Sequence, residues 1–192
     1  MSDKTRDKIL TVATKLFGRY GFNKTSMDEI AKIARKAKGS LYYHFHSKEV
    51  LFTEVVKREM TNLRQELIKV IQNINFSATE KLKQYIVVRM NYIEHAVNYN
   101  ETVRADFFEH YDFIDDLRNE IDRFEKAQLE IILLQGIKEG SFKEIDDLSV
   151  ALDTLIMLLK GMELTYFLKD SPEKANPPFE KVADILINGI TQ

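Results

Sequence analysis

Apolar positions recur along this chain with a helical period almost from end to end. Residues 5–20 set Ile9, Leu10, Ala13, Leu16, Phe17 and Tyr20 three or four apart, with lysines and arginines on the other side. The spacing predicts a first helix there, stopped by Gly21. Ser26-Met27-Asp28-Glu29 has the S-x-x-E form, in which a serine oxygen caps the helix start and the glutamate turns back to the cap amide. A short helix over 27–34 follows, with Met27, Ile30, Ala31 and Ala34 inward. After a turn at Arg35-Lys36-Ala37 comes a third short helix over 38–45, where Leu41 and Phe45, one turn apart, form a narrow buried stripe. Ser47 caps a fourth helix that runs to about Ile74. Further periodic stretches predict helices near 78–97, 101–112, 115–139, 148–168 and 177–189, with Gly140 ending one and Asn176-Pro177 opening the last. The expected fold is all-α, of about nine helices. An N-terminal three-helix helix-turn-helix domain takes residues 1–50, and a second helical domain takes 51–192.

Composition sharpens this picture. Three prolines and seven glycines in 192 residues leave few breakers, as long helices require. The absence of cysteine removes disulfides, thiol catalysis and cysteine-based zinc sites, and fits a cytoplasmic protein. The start MSDKTRDK has no apolar signal region. Residues 148–168 are nearly apolar all round but hold Asp153, Lys160 and Glu163. Each charge costs about 2.5–3.5 kcal/mol at a bilayer centre, so this reads as a helix buried by protein, and no membrane partner is expected. Net charge is −2, unevenly placed. Residues 1–52 carry eleven Lys/Arg against five Asp/Glu, a balance of +6, and the remainder carries 17 against 25, a balance of −8. A basic end on an acidic body points to a polyanion as partner of the N-terminal part.

The third helix, Lys38-Gly39-Ser40-Leu41-Tyr42-Tyr43-His44-Phe45, has the side chains for that partner. A helix-turn-helix lays its second helix in the DNA major groove. Gly39 lets a nucleic acid approach the backbone. Lys38 can meet a phosphate or the acceptor edge of guanine, and Ser40 is short enough to reach a base. Tyr42, Tyr43 and His44 offer planar surfaces with polar tips; Tyr43 lies farther from the Leu41–Phe45 stripe. Thr25, Ser26 and Lys48, near helix N-termini, are further candidates for phosphate contact. Arg35 and Lys36 are either phosphate contacts or solvated turn residues.

The ordered set I-L-x-x-A-x-x-L-F (9–17), Y-G-F (20–22), T-S-M-D-E-I-A (25–31), K-G-S-L-Y-Y-H-F (38–45) and S-K-E-V-L (47–51) resembles the TetR/AcrR family of bacterial transcriptional regulators. The resemblance is strongest over residues 5–55, and its K-G-x-L-Y-Y-H-F form is similar to the multidrug-efflux repressors of that family. Beyond residue 55 only the pattern of helices is similar. Most members carry A-G-V-S at the turn, where this chain has Ala34-Arg35-Lys36-Ala37. A non-glycine residue at positive φ costs on the order of 1 kcal/mol, and Ala37 forgoes a cap worth about 1 kcal/mol. Either the recognition helix is less firmly anchored, or the turn differs in shape.

The resemblance implies a ligand-responsive regulator, a repressor that binds a palindromic double-stranded DNA operator as a homodimer and is released by a small hydrophobic effector. The last two long helices would form the dimer, with Leu152, Ile156 and Leu159 on one and Val182, Leu186 and Ile190 on the other. Met90, Ile93, Phe107, Phe108, Tyr111, Met157 and Tyr166 are candidates for the effector pocket, since aromatic and methionine side chains suit an adaptable apolar cavity. Aromatics mixed with carboxylates over 106–116 suit a cationic lipophile, while an apolar pocket suits a fatty acyl group equally; the alternatives stay open. Asp106 and His110 share one helix face, but without a second contributing helix they make no metal site. The chain has no paired Glu-x-x-His segments, nucleophile triad or phosphate loop, so no enzyme activity and no cofactor are expected. The alternative is a helical small-molecule-binding or adaptor protein without sequence-specific DNA binding, which leaves the +6 headpiece unexplained.

Overall fold

The computed structural model describes residues 2–108, 112–167 and 179–191, and the side chains of 2–3, 105–108 and 164–167 lie outside that description. Among the described residues the order is α1 (Ser2–Tyr20), α2 (Met27–Ala34), α3 (Lys38–His44), α4 (Lys48–Gln72), α5 (Ala78–His95), α6 (Val97–Phe108), a 3-10 turn (Asp112–Ile114), α7 (Asp115–Glu139), α8 (Leu148–Phe167) and α9 (Phe179–Ile190). The chain divides into two compact units: Met1–Thr61 with Ala96–Leu117, and Asn62–His95 with Arg118–Gln192. The first division falls inside α4, beyond the boundary expected at residue 50.

In the first unit, α1 packs on α2, α3 and α6, and α2 packs on α3. Ile9, Ala13, Ile30, Ala34 and Leu41 are fully buried, as their spacing predicts. A cluster of phenylalanines closes the core, with Phe17 and Phe52 edge to face at 5.1 Å and Phe22 at 5.3 Å from Phe113. Rings of this size each contribute about 1.5–3 kcal/mol on burial. Helix α6 starts at Val97, four residues before the expected 101, because a distant side chain provides its cap. The Glu59 carboxylate on α4 accepts from the Tyr99 amide at 3.0 Å and from the Asn98 side chain at 2.6 Å. Burial holds the Glu59 carboxyl above its ordinary range, only partly offset by these bonds. On α6, Glu101 in turn accepts from the Phe22 amide at 2.7 Å. No local signal near residue 97 announces a cap delivered from 38 residues upstream.

In the second unit, α5 packs chiefly along α9 and also against α8. Ser77 and Glu80 form a complete capping box at the start of α5, the Ser77 amide donating to Glu80 at 2.8 Å and the Glu80 amide to Ser77 Oγ at 3.3 Å. Gly140 stops α7 at φ +73°. Phe142 folds back, buried, and pairs by an isolated bridge with Thr191. Three charged side chains occupy apolar-stripe positions on three helices, and they meet: Arg89 on α5, Glu125 on α7 and Glu163 on α8, all at most 1% exposed. Arg89 grips Glu125 with both donors of one edge, Nε to Oε1 at 2.7 Å and Nη2 to Oε2 at 3.0 Å, and its Nη2 lies 2.5 Å from Glu163. Tyr85, also buried, has its hydroxyl raised well above 10 by burial and then by the Glu125 charge.

Candidate nucleic-acid interface

The helix-turn-helix is built by local chemistry. Ser26 Oγ accepts from the Glu29 amide at 3.2 Å, which is the serine half of the predicted capping box. Helix α2 ends on Arg35 at φ 54°, ψ 49°, with the Arg35 and Lys36 amides donating to Lys32 and Ala31 at 3.1 and 3.0 Å. This is a left-handed C-terminal cap of the kind glycine usually fills. Ala37 starts α3 with no side-chain cap. Both local costs expected from the Ala34–Ala37 turn are therefore present. Arg35→Gly is expected to raise stability by about 1 kcal/mol, and Ala37→Ser by up to about 1 kcal/mol more. Urea midpoints at unchanged slope check both.

Helix α3 has one buried and one open side. Leu41 and Phe45 are buried, while Tyr43 is 83% exposed and Tyr42 and Lys38 are also exposed. A Cβ placed on Gly39 would meet nothing within 4 Å. Packing inside the protein therefore does not require a glycine there. Ser40 and His44 are half-buried, His44 with its ring 5.2 Å from that of Tyr43. Beside this helix lies a groove of about 420 Å³, lined by Asn23, Lys24, Thr25, Ser26, Met27, Asp28, Lys38, Tyr42 and Lys48. The structure thus gathers five of the predicted residues, Thr25, Ser26, Lys38, Tyr42 and Lys48, around one concavity.

Several cations there already have partners. Lys38 Nζ lies 2.7 and 2.9 Å from the two oxygens of Asp28, whose hydrogen bond and charge raise the Lys38 pKa. Lys48 Nζ donates to the Phe22 carbonyl at 3.1 Å and stands 4.3 Å over the Phe22 ring. Lys36 Nζ donates to Thr5 Oγ1 at 3.1 Å, which ties the turn to α1. Thr25 is 2% exposed and its hydroxyl donates to the Gly21 carbonyl at 2.8 Å, so its side chain closes the turn after α1 and is not offered at the surface. Sequence reasoning missed Asp28 and Lys24. An acid in the first turn of a helix reads as an N-terminal charge complement, and the pairing with Lys38 is visible only once α2 and α3 are crossed.

The body residues sort differently from the expectation. Met90 and Ile93 are buried in the second unit. Met157 is 66% exposed and does not line its interior. Phe107, Phe108, Tyr111 and Tyr166 lie outside the described side chains. Leu152, Ile156 and Leu159 are buried within the chain's own second unit. Val182, Leu186 and Ile190 are half-buried. The exposed apolar positions of α8 are Val150, Met157 and Leu158, with Thr154 and Gly161 exposed on the same face, and on α9 it is Ile185, with Gly189 one turn on. An all-apolar helix has no polar side to fix its orientation in the sequence.

A basic helical headpiece with a short exposed helix after a tight turn defines a helix-turn-helix DNA-binding protein. Residues 9–55 match the family described as bacterial regulatory proteins, tetR family. The chain is 24% identical over 190 residues to the HTH-type transcriptional regulator QacR of Staphylococcus aureus, covering 97% of this chain and 98% of that protein. A transcriptional regulator from Cytophaga hutchinsonii has a similar structure, with TM-score 0.79 and 29% identity over 96% of this chain and 97% of that one. So does the transcriptional regulator FadR of Bacillus subtilis in complex with stearoyl-CoA, with TM-score 0.78 and 22% identity over 95% and 98%. The N-terminal part of the chain, over residues 9–55, is thus a tetR-family DNA-binding domain.

Proposed function

We propose that this regulator is a cytoplasmic repressor that binds a near-palindromic operator as a homodimer and leaves it when a small hydrophobic effector binds. The observation that carries the DNA part is the open side of α3: Tyr43 stands out in solvent beside a Gly39 that no internal contact requires. Lys38, Ser40, Tyr42 and His44 share that short helix. Arg35, Ser26 and Lys48 flank it and supply phosphate contacts, for which Lys38 exchanges its Asp28 partner.

The dimer is supported by the exposed stripe on α8 and by Ile185 on α9. Apolar side chains interleaved with glycine let two helices approach closely, and a Cβ at Gly161 or Gly189 would meet nothing within 4 Å. A twofold pair presents its recognition helices to successive major grooves about 34–36 Å apart, hence the near-palindrome. The effector is supported by relatives: the FadR structure holds stearoyl-CoA, and another similar structure, 23% identical to this chain, is that of a ketosteroid transcriptional regulator. An effector that binds one of two states better shifts their balance, which is all that release requires.

Met157→Lys puts a charge on the proposed dimer face without touching the core. Sedimentation at micromolar concentration is expected to show a dimer for the unchanged protein and a monomer for the variant, with footprinting of its upstream DNA losing both protected half-sites together. A variant that stays dimeric contradicts this face.

A further inference from the structure

Two arginines of the second unit differ in how their guanidinium edges are used. Arg89 points its Nε–Nη2 edge at the two oxygens of one carboxylate, Glu125. Arg64, on α4, carries the same edge. Its Nη1 donates to Glu120 at 2.8 Å, and its guanidinium carbon stands 5.1 Å over the Phe124 ring. Its Nε and Nη2 atoms are shielded from solvent and have no hydrogen-bond partner among the described residues. Buried charged donors left without acceptors are costly, and such a group calls for an explanation.

The two N–H bonds of a guanidinium side edge run parallel at the spacing of carboxylate oxygens. A guanidinium has donors only and repels a cation. Glu120, 44% exposed, balances the Arg64 charge from its solvated side, and the Phe124 ring supports the flat face. That one guanidinium can serve two carboxylates is demonstrated in the same unit by Arg89 between Glu125 and Glu163.

We propose that the Nε–Nη2 edge of Arg64 receives the headgroup of an anionic effector, a carboxylate-terminated amphiphile. The proposal rests on the reading of the protein as an effector-responsive regulator, and it selects an anionic ligand over a cationic lipophile.

The test uses the full chain and four ten-carbon probes: decanoate, decyl phosphate, decanol and decyltrimethylammonium. Calorimetric titration is expected to give decanoate at least about tenfold tighter binding than decanol. Arg64→Lys, which keeps the charge but loses the planar edge, is expected to erase that preference. Equal binding of decanoate and decanol, a decanoate preference unchanged in Arg64→Lys, a preference for decyltrimethylammonium, or binding of none of the four overturns the proposal. An Arg64-dependent preference for decyl phosphate in place of decanoate overturns the carboxylate assignment. If Arg64→Lys fails to fold, the decanoate-to-decanol ratio in the unchanged protein decides alone. Operator binding is measured on the same samples without amphiphile. Normal DNA binding with no headgroup preference removes this inference only, whereas absent DNA binding counts against the regulator reading and leaves the decanoate result standing.

Discussion

Arg89→Leu is expected to cost about 3–5 kcal/mol of stability, a large share of the 5–15 kcal/mol typical of a folded domain. Arg89 is fully buried and lies between two carboxylates that are themselves 1% exposed. Removing it takes from Glu125 and Glu163, inside the second unit, the guanidinium charge that lies between them, together with the bidentate hydrogen bonds to Glu125. Each would have to take up a proton or draw water into the core. The triple variant Arg89→Leu, Glu125→Leu, Glu163→Leu is expected to recover most of the loss, because the desolvation of three charges disappears with their attraction. Urea unfolding followed by circular dichroism gives both numbers. A single variant within about 1 kcal/mol of the unchanged protein, on the scale of an ordinary surface substitution, would show that the cluster does not hold α5, α7 and α8 together.

Gly136→Ala is the second large effect. A Cβ there would fall 2.0 Å from Phe142 Cδ2, 2.4 Å from Cε2 and 2.6 Å from Cγ. These are ring atoms of a buried side chain whose backbone is tied to the last helix, Phe142 bridging Thr191 and the Lys143 amide donating to the Ile190 carbonyl at 2.9 Å. The ring cannot simply swing into solvent. Overpacking of this kind costs about 1–3 kcal/mol, and the gain of alanine over glycine in a helix, about 1 kcal/mol, offsets only part of it. The net loss should show as a lower thermal midpoint, and Phe142→Leu in the same chain should restore much of it by freeing space. A Gly136→Ala protein more stable than its parent would mean that Phe142 does not pack against α7.

What the sequence made legible, and what it did not, follows the range of the interactions. The Ser26 cap, the Leu41–Phe45 stripe, the exposure of Tyr43 and the left-handed Arg35 were all readable, because each is decided within four or five residues. The start of α6 was not, because Glu59 caps it from α4. The Lys38–Asp28 pair and the internal role of Thr25 depend on how α1, α2 and α3 are crossed. The orientation of α8 is not legible for a different reason: its apolar residues surround the helix, so Leu152 and Met157 look alike in sequence, and only the fold turns Leu152 inward and Met157 outward. The Arg89 cluster left a signal that could have been used. Arg89 lies between Ile86 and Ile93, Glu125 between Ile121 and Leu129, and Glu163 inside an apolar run. Opposite charges on three apolar stripes point to one buried group.

The most direct test of DNA reading by α3 is fluorescence anisotropy on duplex DNA from the chain's own upstream region across a salt series. The expected result is saturable binding whose logarithm falls linearly with the logarithm of salt, by roughly 0.9 per phosphate contacted. Lys38→Ala should reduce that slope by about one contact. Tyr43→Ala should weaken binding by about tenfold. Gly39→Ala should weaken it too while making the free protein more stable by about 0.5–1 kcal/mol. Weak binding that ignores salt and is the same in all three variants would contradict a recognition role for this helix.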